Sequence, residues 1–170
     1  MLGWNEDIEA LCKKIVHEAT RLGYTVGTAE SCTGGLVSGA LTSVAGSSAA
    51  VRGGIVSYAV PVKESVLGVP TEITRTPEVG VVSSECACAM CEGARKVLAC
   101  DIAVSITGIA GPGGAEPGKP VGTVWFGLAS SRGTTSEVHR FEGDRAQVRE
   151  QAVQTALGLI AAELDALGLG

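Results

Sequence analysis

Thr28-Ala29-Glu30-Ser31-Cys32-Thr33-Gly34-Gly35 is the stretch on which the reading of this chain turns. Ahead of it, Tyr24 to Ala29 has the character of a short buried strand. Behind it, Gly34 to Leu41 is small and apolar, as in a helix packed closely on a sheet. A strand-to-helix turn directs backbone N–H groups and the positive end of the helix dipole at one point. Such a point favours an anion, whether a phosphate or a developing oxyanion. A hydroxyl at Ser31 can therefore be a nucleophile. It can equally be a helix cap, for which Ser and Thr are favoured, and local physics alone leans to the cap.

Outward from this turn the chain alternates helices and strands. Residues 5–22 repeat Ile8, Leu11, Cys12, Ile15, Val16, Ala19 and Leu22 at helical spacing, and Gly23 is a natural stop. After the strand at 24–29 and the helix at 34–43, residues 44–50 form a small-residue connector. Residues 52–58 read as a strand. Pro61 suits a first helical position, so Val62 to Leu67 is expected as a short helix with Lys63 in its first turn. Residues 70–80 are expected as turns. A long helix follows from Ser83 to Leu98, with Ser83 or Ser84 as its cap. The strand Ile102 to Thr107 runs into a glycine-rich loop at 108–118. Residues 122–130 and 134–141 read as a hairpin around Ser131-Arg132-Gly133, and Gly143 to Leu167 is the last helix. This order predicts an α/β fold, with a mixed, mostly parallel sheet that carries an antiparallel portion and helices on both faces.

With 170 residues, 45% of them hydrophobic, the chain is long enough for one domain with a full core. A net charge of −5 and the lack of any long Lys/Arg run disfavour nucleic acid as a partner. No stretch approaches the ~20 apolar residues of a membrane helix. The N-terminus lacks a basic-then-apolar leader pattern, so a cytoplasmic location is expected and no membrane partner. The six cysteines do not suggest the disulfide framework of a small secreted chain. Cys86, Cys88 and Cys91 fall in a predicted helix, where side chains turn by roughly 100° per residue and the first two would diverge. They are read as free thiols rather than metal ligands, and no metal or cofactor is expected.

A nucleophilic Ser31 needs a base. His17 and His139 stand near no plausible catalytic motif. Lys63 is the better candidate, although a lysine there would ordinarily be a solvated surface residue. It can act as a base only if burial or a neighbouring cation lowers its pKa. Tyr58 reads either as a half-buried strand aromatic or as a hydroxyl between Ser31 and Lys63. Thr107 and Gly108 begin a loop at the carboxyl end of a central strand, where α/β proteins collect ligands. Arg145 and Arg149 open the last helix and read first as surface charges. A cation gains nothing from a helix N-terminus, so Arg145 also reads as a group aimed at a phosphate.

Four segments stand in order: Ala29 to Gly35, Gly53 to Tyr58 with Lys63 and Leu67-Gly68-Val69, Ser105 to Gly114, and Lys119 to Val124. Together they resemble the CinA C-terminal domain family, the nicotinamide-nucleotide amidases, over roughly residues 8–164. The resemblance implies a three-layer α/β/α domain. It also implies hydrolysis of nicotinamide mononucleotide to nicotinic acid mononucleotide and ammonia, a step of pyridine nucleotide salvage that uses a Ser–Lys pair and no metal. It places Ser31, Lys63 and Tyr58 as catalytic residues. Thr33, Gly34, Gly35, Thr107, Gly108 and Arg145 are expected at the substrate, with backbone N–H groups near the start of the second helix stabilising the oxyanion. Full-length relatives carry a separate N-terminal domain of pyrophosphatase character, and this chain is read as a standalone copy, expected to be a homo-oligomer. One departure is Ala59-Val60-Pro61-Val62, where the family carries a polar Ser-Asn-Glu-Ala-like stretch. Two other readings stand beside the amidase: a silent nucleotide-binding module, and a thiol enzyme using Cys32.

Overall fold

Five strands form one sheet in the order β2-β1-β3-β4-β5. The structure, a computed structural model, describes residues 3–169; Met1, Leu2 and Gly170, which the sequence reading includes in the domain, lie outside the described residues. The strands are β1 (Val26–Glu30), β2 (Val51–Val56), β3 (Ile102–Gly108), β4 (Thr123–Ser130) and β5 (Gly133–Arg140). β1 pairs in parallel with β2 and β3, while β4 and β5 add antiparallel. The α/β class and the mixed sheet with a parallel centre are as the alternation of elements predicts.

The helices are α1 (Glu6–Leu22), α2 (Leu36–Thr42), α3 (Val60–Leu67), α4 (Thr71–Arg75), α5 (Ser84–Val97) and α6 (Arg145–Gly168). Their ends follow local chemistry. Asn5 accepts from the Ile8 N–H at the start of α1, Ser83 accepts from Cys86 at α5, and Asp144 with Gln147 forms a capping box at α6. α4 falls where only turns were expected. Pro70 starts it, its carbonyl accepting from the N–H groups of Ile73 and Thr74.

Each sheet face buries a separate core. On one face Val26, Ile102, Val104, Ile106, Val124 and Phe126 meet α1, α2 and α6. On the other, Ala29, Ala103 and Ala129 meet α3, α4 and α5. The period-two alternation of strands thus puts bulky residues on the first face and small ones on the second. Small residues let α5 lie close. A Cβ at Gly127 would stand 2.4 Å from the Ala87 carbonyl oxygen, and Ser105 Oγ donates to that same oxygen at 2.6 Å. α3 in turn presses on α5 at Gly93, where a Cβ would meet the Leu67 carbonyl oxygen at 1.9 Å.

Gly93 therefore cannot be alanine without displacing α3, the helix that carries Lys63. Gly93→Ala is expected to lower unfolding free energy by about 1–3 kcal/mol. Gly158→Ala, in α6 where nothing lies within 4 Å of the new Cβ, is expected to raise it by about 0.5–1 kcal/mol through helix propensity. Denaturant titration of the two variants reads both signs.

Candidate functional site

Ser31 is the first residue beyond β1, and its N–H continues the ladder to the Ile106 carbonyl at 2.9 Å. On the other side, Ser57 N–H donates to the Glu30 carbonyl at 2.8 Å. Ser31 is thereby pinned at the carboxyl ends of β1 and β3. The chain leaves β1 toward β2 and leaves β3 toward β4, in opposite directions across the sheet. Divergence of this kind opens a crevice at the strand ends.

Lys63 is brought to Ser31 by α3. Its side chain is 1% exposed, among the bulkiest fully buried side chains, although its sequence position suggested a solvated one. Nζ lies 2.9 Å from Ser31 Oγ and also donates to the carbonyls of Ser57 and Tyr58. Burial holds its pKa below the ordinary lysine range, because the ammonium has lost its water; the neighbouring Cys86 and Cys32 act weakly in the other direction. The count of partners matches the neutral amine. Two N–H bonds serve the two carbonyls, and the lone pair is left for the Ser31 hydroxyl proton. As an ammonium the same nitrogen keeps all three partners, with Ser31 Oγ accepting. Lys63 can change protonation state without moving.

Tyr58 enters differently from the expected relay. Lys63 reaches Ser31 directly, and Tyr58 contributes its carbonyl to the lysine. The chain turns from β2 into α3 here, which leaves the phenol at the rim, 61% exposed, with its hydroxyl 3.4 Å from Arg145 Nη2. Arg145 Nη1 donates to the Gly111 carbonyl at 2.9 Å, which sets the guanidinium against the β3–β4 loop. At the start of α3, Ala59 occupies the cap position with no side-chain hydrogen bond, so the departure at Ala59-Val60-Pro61-Val62 leaves that helix uncapped.

Of the remaining residues expected at the substrate, Thr33 is fully buried and its hydroxyl has no hydrogen-bond partner. Gly34 and Gly35 take φ of +63° and +95°, a region that favours glycine. Their N–H groups are already engaged, Gly34's by the Ser31 carbonyl and Gly35's by Glu30. Thr107 is buried and its hydroxyl donates to the Val81 carbonyl at 2.6 Å, so it ties β3 to the segment before α5. Gly108 is required by β4, since a Cβ there would lie 2.7 Å from the Thr123 carbonyl oxygen. In this structure the hydroxyl of Thr107 and the N–H groups of Gly34 and Gly35 have partners within the fold.

Two residues escaped the sequence reading. Glu30 lies wholly inside the fold, and its carboxylate accepts from Gly35, Val37 and Ser38 N–H and from the Thr28 hydroxyl. It consumes the N–H groups of α2 that were expected to receive an oxyanion. The signal was present, an acid six residues before the start of α2, but its inward direction was invisible. Arg149, read as a surface charge, donates from Nε to the Cys32 carbonyl and from Nη2 to the Thr33 carbonyl, each at 3.0 Å. Its partners lie 117 and 116 positions away, and nothing local announces them. Cys32 itself is buried, which pushes its thiol up to about 11 and leaves it a poor nucleophile at neutral pH. Among the described residues no three His, Cys, Asp or Glu side chains gather as a metal site.

The family model of the CinA C-terminal domain matches residues 8–164. A CinA-like protein of Geobacter sulfurreducens is 48% identical over 135 residues, covering 79% of this chain and 32% of its own length. One from Anaeromyxobacter dehalogenans is 44% identical over 157 residues, covering 92% and 38%. The chain thus spans about a third of the length of these curated relatives. Among solved structures, the competence/damage inducible protein of Agrobacterium tumefaciens superposes with a TM-score of 0.91 at 42% identity, covering 97% of this chain and 99% of that one. A CinA superfamily protein of Klebsiella pneumoniae gives 0.88 at 34% identity, with coverages of 93% and 98%. Ser31 and the buried Lys63 therefore sit in a fold and a sequence pattern shared along nearly the whole chain, and the chain belongs to the CinA C-terminal domain family.

Proposed function

We propose that the chain is a serine amidohydrolase that converts nicotinamide mononucleotide to nicotinic acid mononucleotide and ammonia. The observation that carries this reading is the 2.9 Å contact between Ser31 Oγ and a lysine amine held inside the fold. Neutral Lys63 takes the Ser31 hydroxyl proton as Oγ attacks the carboxamide carbon. The N–H of Cys32, which the helix terminus does not use, receives the oxyanion. As the tetrahedral adduct collapses, Lys63 returns its proton to the departing nitrogen and ammonia leaves. Lys63 then takes a proton from water, which attacks the acyl-enzyme, and the proton passes back to Ser31 Oγ as nicotinic acid mononucleotide is released. No step calls on a metal. Arg145, held by Gly111 and Tyr58 at the rim, is the group for the 5′-phosphate, with Tyr58 beside it.

Ammonia release from nicotinamide mononucleotide is the direct assay. Ser31→Ala is expected to lower turnover by more than about 10³-fold while nucleotide binding persists, as for loss of a nucleophile. Binding by the native protein with no turnover would instead support the silent nucleotide-binding module.

The pH profile tests the base. Catalysis needs neutral Lys63, so kcat/KM should rise with pH through one ionisation below the ordinary lysine range. The same burial has a stability counterpart. A lysine with a lowered folded-state pKa disfavours folding while it is charged, so this contribution to stability is greatest above the unfolded-state pKa and is lost as pH falls through the folded one. A rate that is flat across that window, or that falls with rising pH, would remove Lys63 as the base.

A further inference from the structure

The turn that carries the nucleophile has every carbonyl occupied. The Ser31 carbonyl accepts from Gly34 N–H at 3.1 Å, and those of Cys32 and Thr33 accept from the two ends of one guanidinium, Arg149 Nε and Nη2, at 3.0 Å each. The N–H groups are sorted just as fully. From Ser31 to Leu36, Ser31 donates to Ile106, Gly34 to Ser31, Gly35 to Glu30 and Leu36 to Thr33. Cys32 and Thr33 alone in this run donate to no other residue among those described, the Cys32 N–H lying against its own sulfur. Only Cys32 adjoins the nucleophile, and it keeps a little exposure where Thr33 has none, which leaves Cys32 N–H as the group an incoming oxygen meets first.

In a trans peptide the carbonyl and the following N–H point in opposite directions. A guanidinium that holds the Cys32 carbonyl toward α6 therefore turns the Thr33 N–H away from α6; the second bond fixes the Thr33–Gly34 peptide, whose N–H holds the Ser31 carbonyl and through it sets the Cys32 N–H. The flat, forked geometry of arginine suits two carbonyls at once, whereas a lysine ammonium would serve them as a single point. Arg149 lies in the second turn of α6, a helix whose buried stripe through Val148, Ala152 and Val153 anchors it on the sheet. The fork is thus mounted on the core rather than on a loop. Glu30 complements it by occupying the N–H groups of Gly35, Val37 and Ser38, so the free donors of this segment are those next to Ser31.

We propose that Arg149 is a positioning residue of the oxyanion site. It sets the Ser31–Thr33 turn from behind, so that the N–H of Cys32, backed by that of Thr33, faces the oxygen that becomes negative when Ser31 attacks. This rests on the serine-amidase reading of the same site but not on the identity of the substrate.

The test uses a fluorophosphonate probe alongside the nucleotide. Ser31 Oγ displaces fluoride from phosphorus, its proton passing to Lys63, and the phosphonyl oxygen makes the same demand on the oxyanion donors. Labelling of Ser31, followed by intact mass, should slow by about 10- to 100-fold in Arg149→Ala, as expected when a donor is misaimed rather than deleted. kcat for the nucleotide should fall in step with KM held within about threefold. Arg149→Lys should be intermediate, and added guanidinium should partly restore Arg149→Ala, which separates positioning from general loss of fold. Equal labelling rates in wild type and both variants would overturn the proposal. So would a defect confined to KM, or a wild type whose Ser31 takes no label. Labelling that depends on Arg149, without ammonia release from nicotinamide mononucleotide, would sustain the proposal and overturn only the substrate.

Discussion

A buried carboxylate holds the centre of this fold together. Glu30 ends β1 in the middle of the sheet, with no contact with water, and four donors converge on its two oxygens. An unpaired charge in such a position would be prohibitive. Three N–H groups at the start of α2 and the Thr28 hydroxyl remove that cost. In return the carboxylate caps a helix of seven residues that has no side-chain cap of its own. The link between strand and helix is consequently rigid, and Ser31 sits inside it. Had those N–H groups stayed free, the helix start would have been a general anion site. Their use by Glu30 confines the available donors to the turn itself.

Lys63 is the converse case, a basic group brought inside without a carboxylate partner. Its three hydrogen-bond partners are two carbonyls and the Ser31 hydroxyl. A carboxylate there would have stabilised the ammonium and fixed it as a charge. Carbonyl dipoles satisfy the N–H bonds while burial still disfavours the ionised form. The result is an amine able to take a proton and return it at one location. Close packing between α3 and α5 at Gly93 maintains this arrangement, because any retreat of α3 would draw Nζ from Ser31.

The sheet supplies the rest of the placement. β1 and β3 are adjacent and parallel, yet the chain connects them to opposite sides, so their connections diverge at the carboxyl ends. α6, the last element in sequence, returns to that place from the other side. It brings Arg149 behind the turn that holds Ser31 and Arg145 to the rim beside Tyr58. The basic groups of the site therefore come from two elements far apart in the chain, α3 with Lys63 below the surface and α6 with Arg149 behind the turn and Arg145 at the entrance.

Much of this was legible in the chain itself. Helical and strand periodicity located the strands and every α-helix except α4; a single turn, there and in the 3-10 helix at Ser47–Ala49, carries too little pattern to separate it from the loops around it. The glycines after Ser31 announced a strand-to-helix turn, and Pro61 announced the start of α3. The Ser–Lys pair followed from the resemblance of four ordered motifs, not from spacing. What the sequence by itself determined was the order of elements, the period of each buried face and the residue types available for chemistry, because these depend on near neighbours. Tertiary structure alone decided that Lys63 is buried, that the Tyr58 hydroxyl faces Arg145 instead of Ser31, that Glu30 uses the helix terminus, and that Arg149 grips Cys32 and Thr33. Each of those facts depends on the direction of a side chain toward a residue far away in the chain. Direction across the fold is set by packing, which no local stretch of sequence contains.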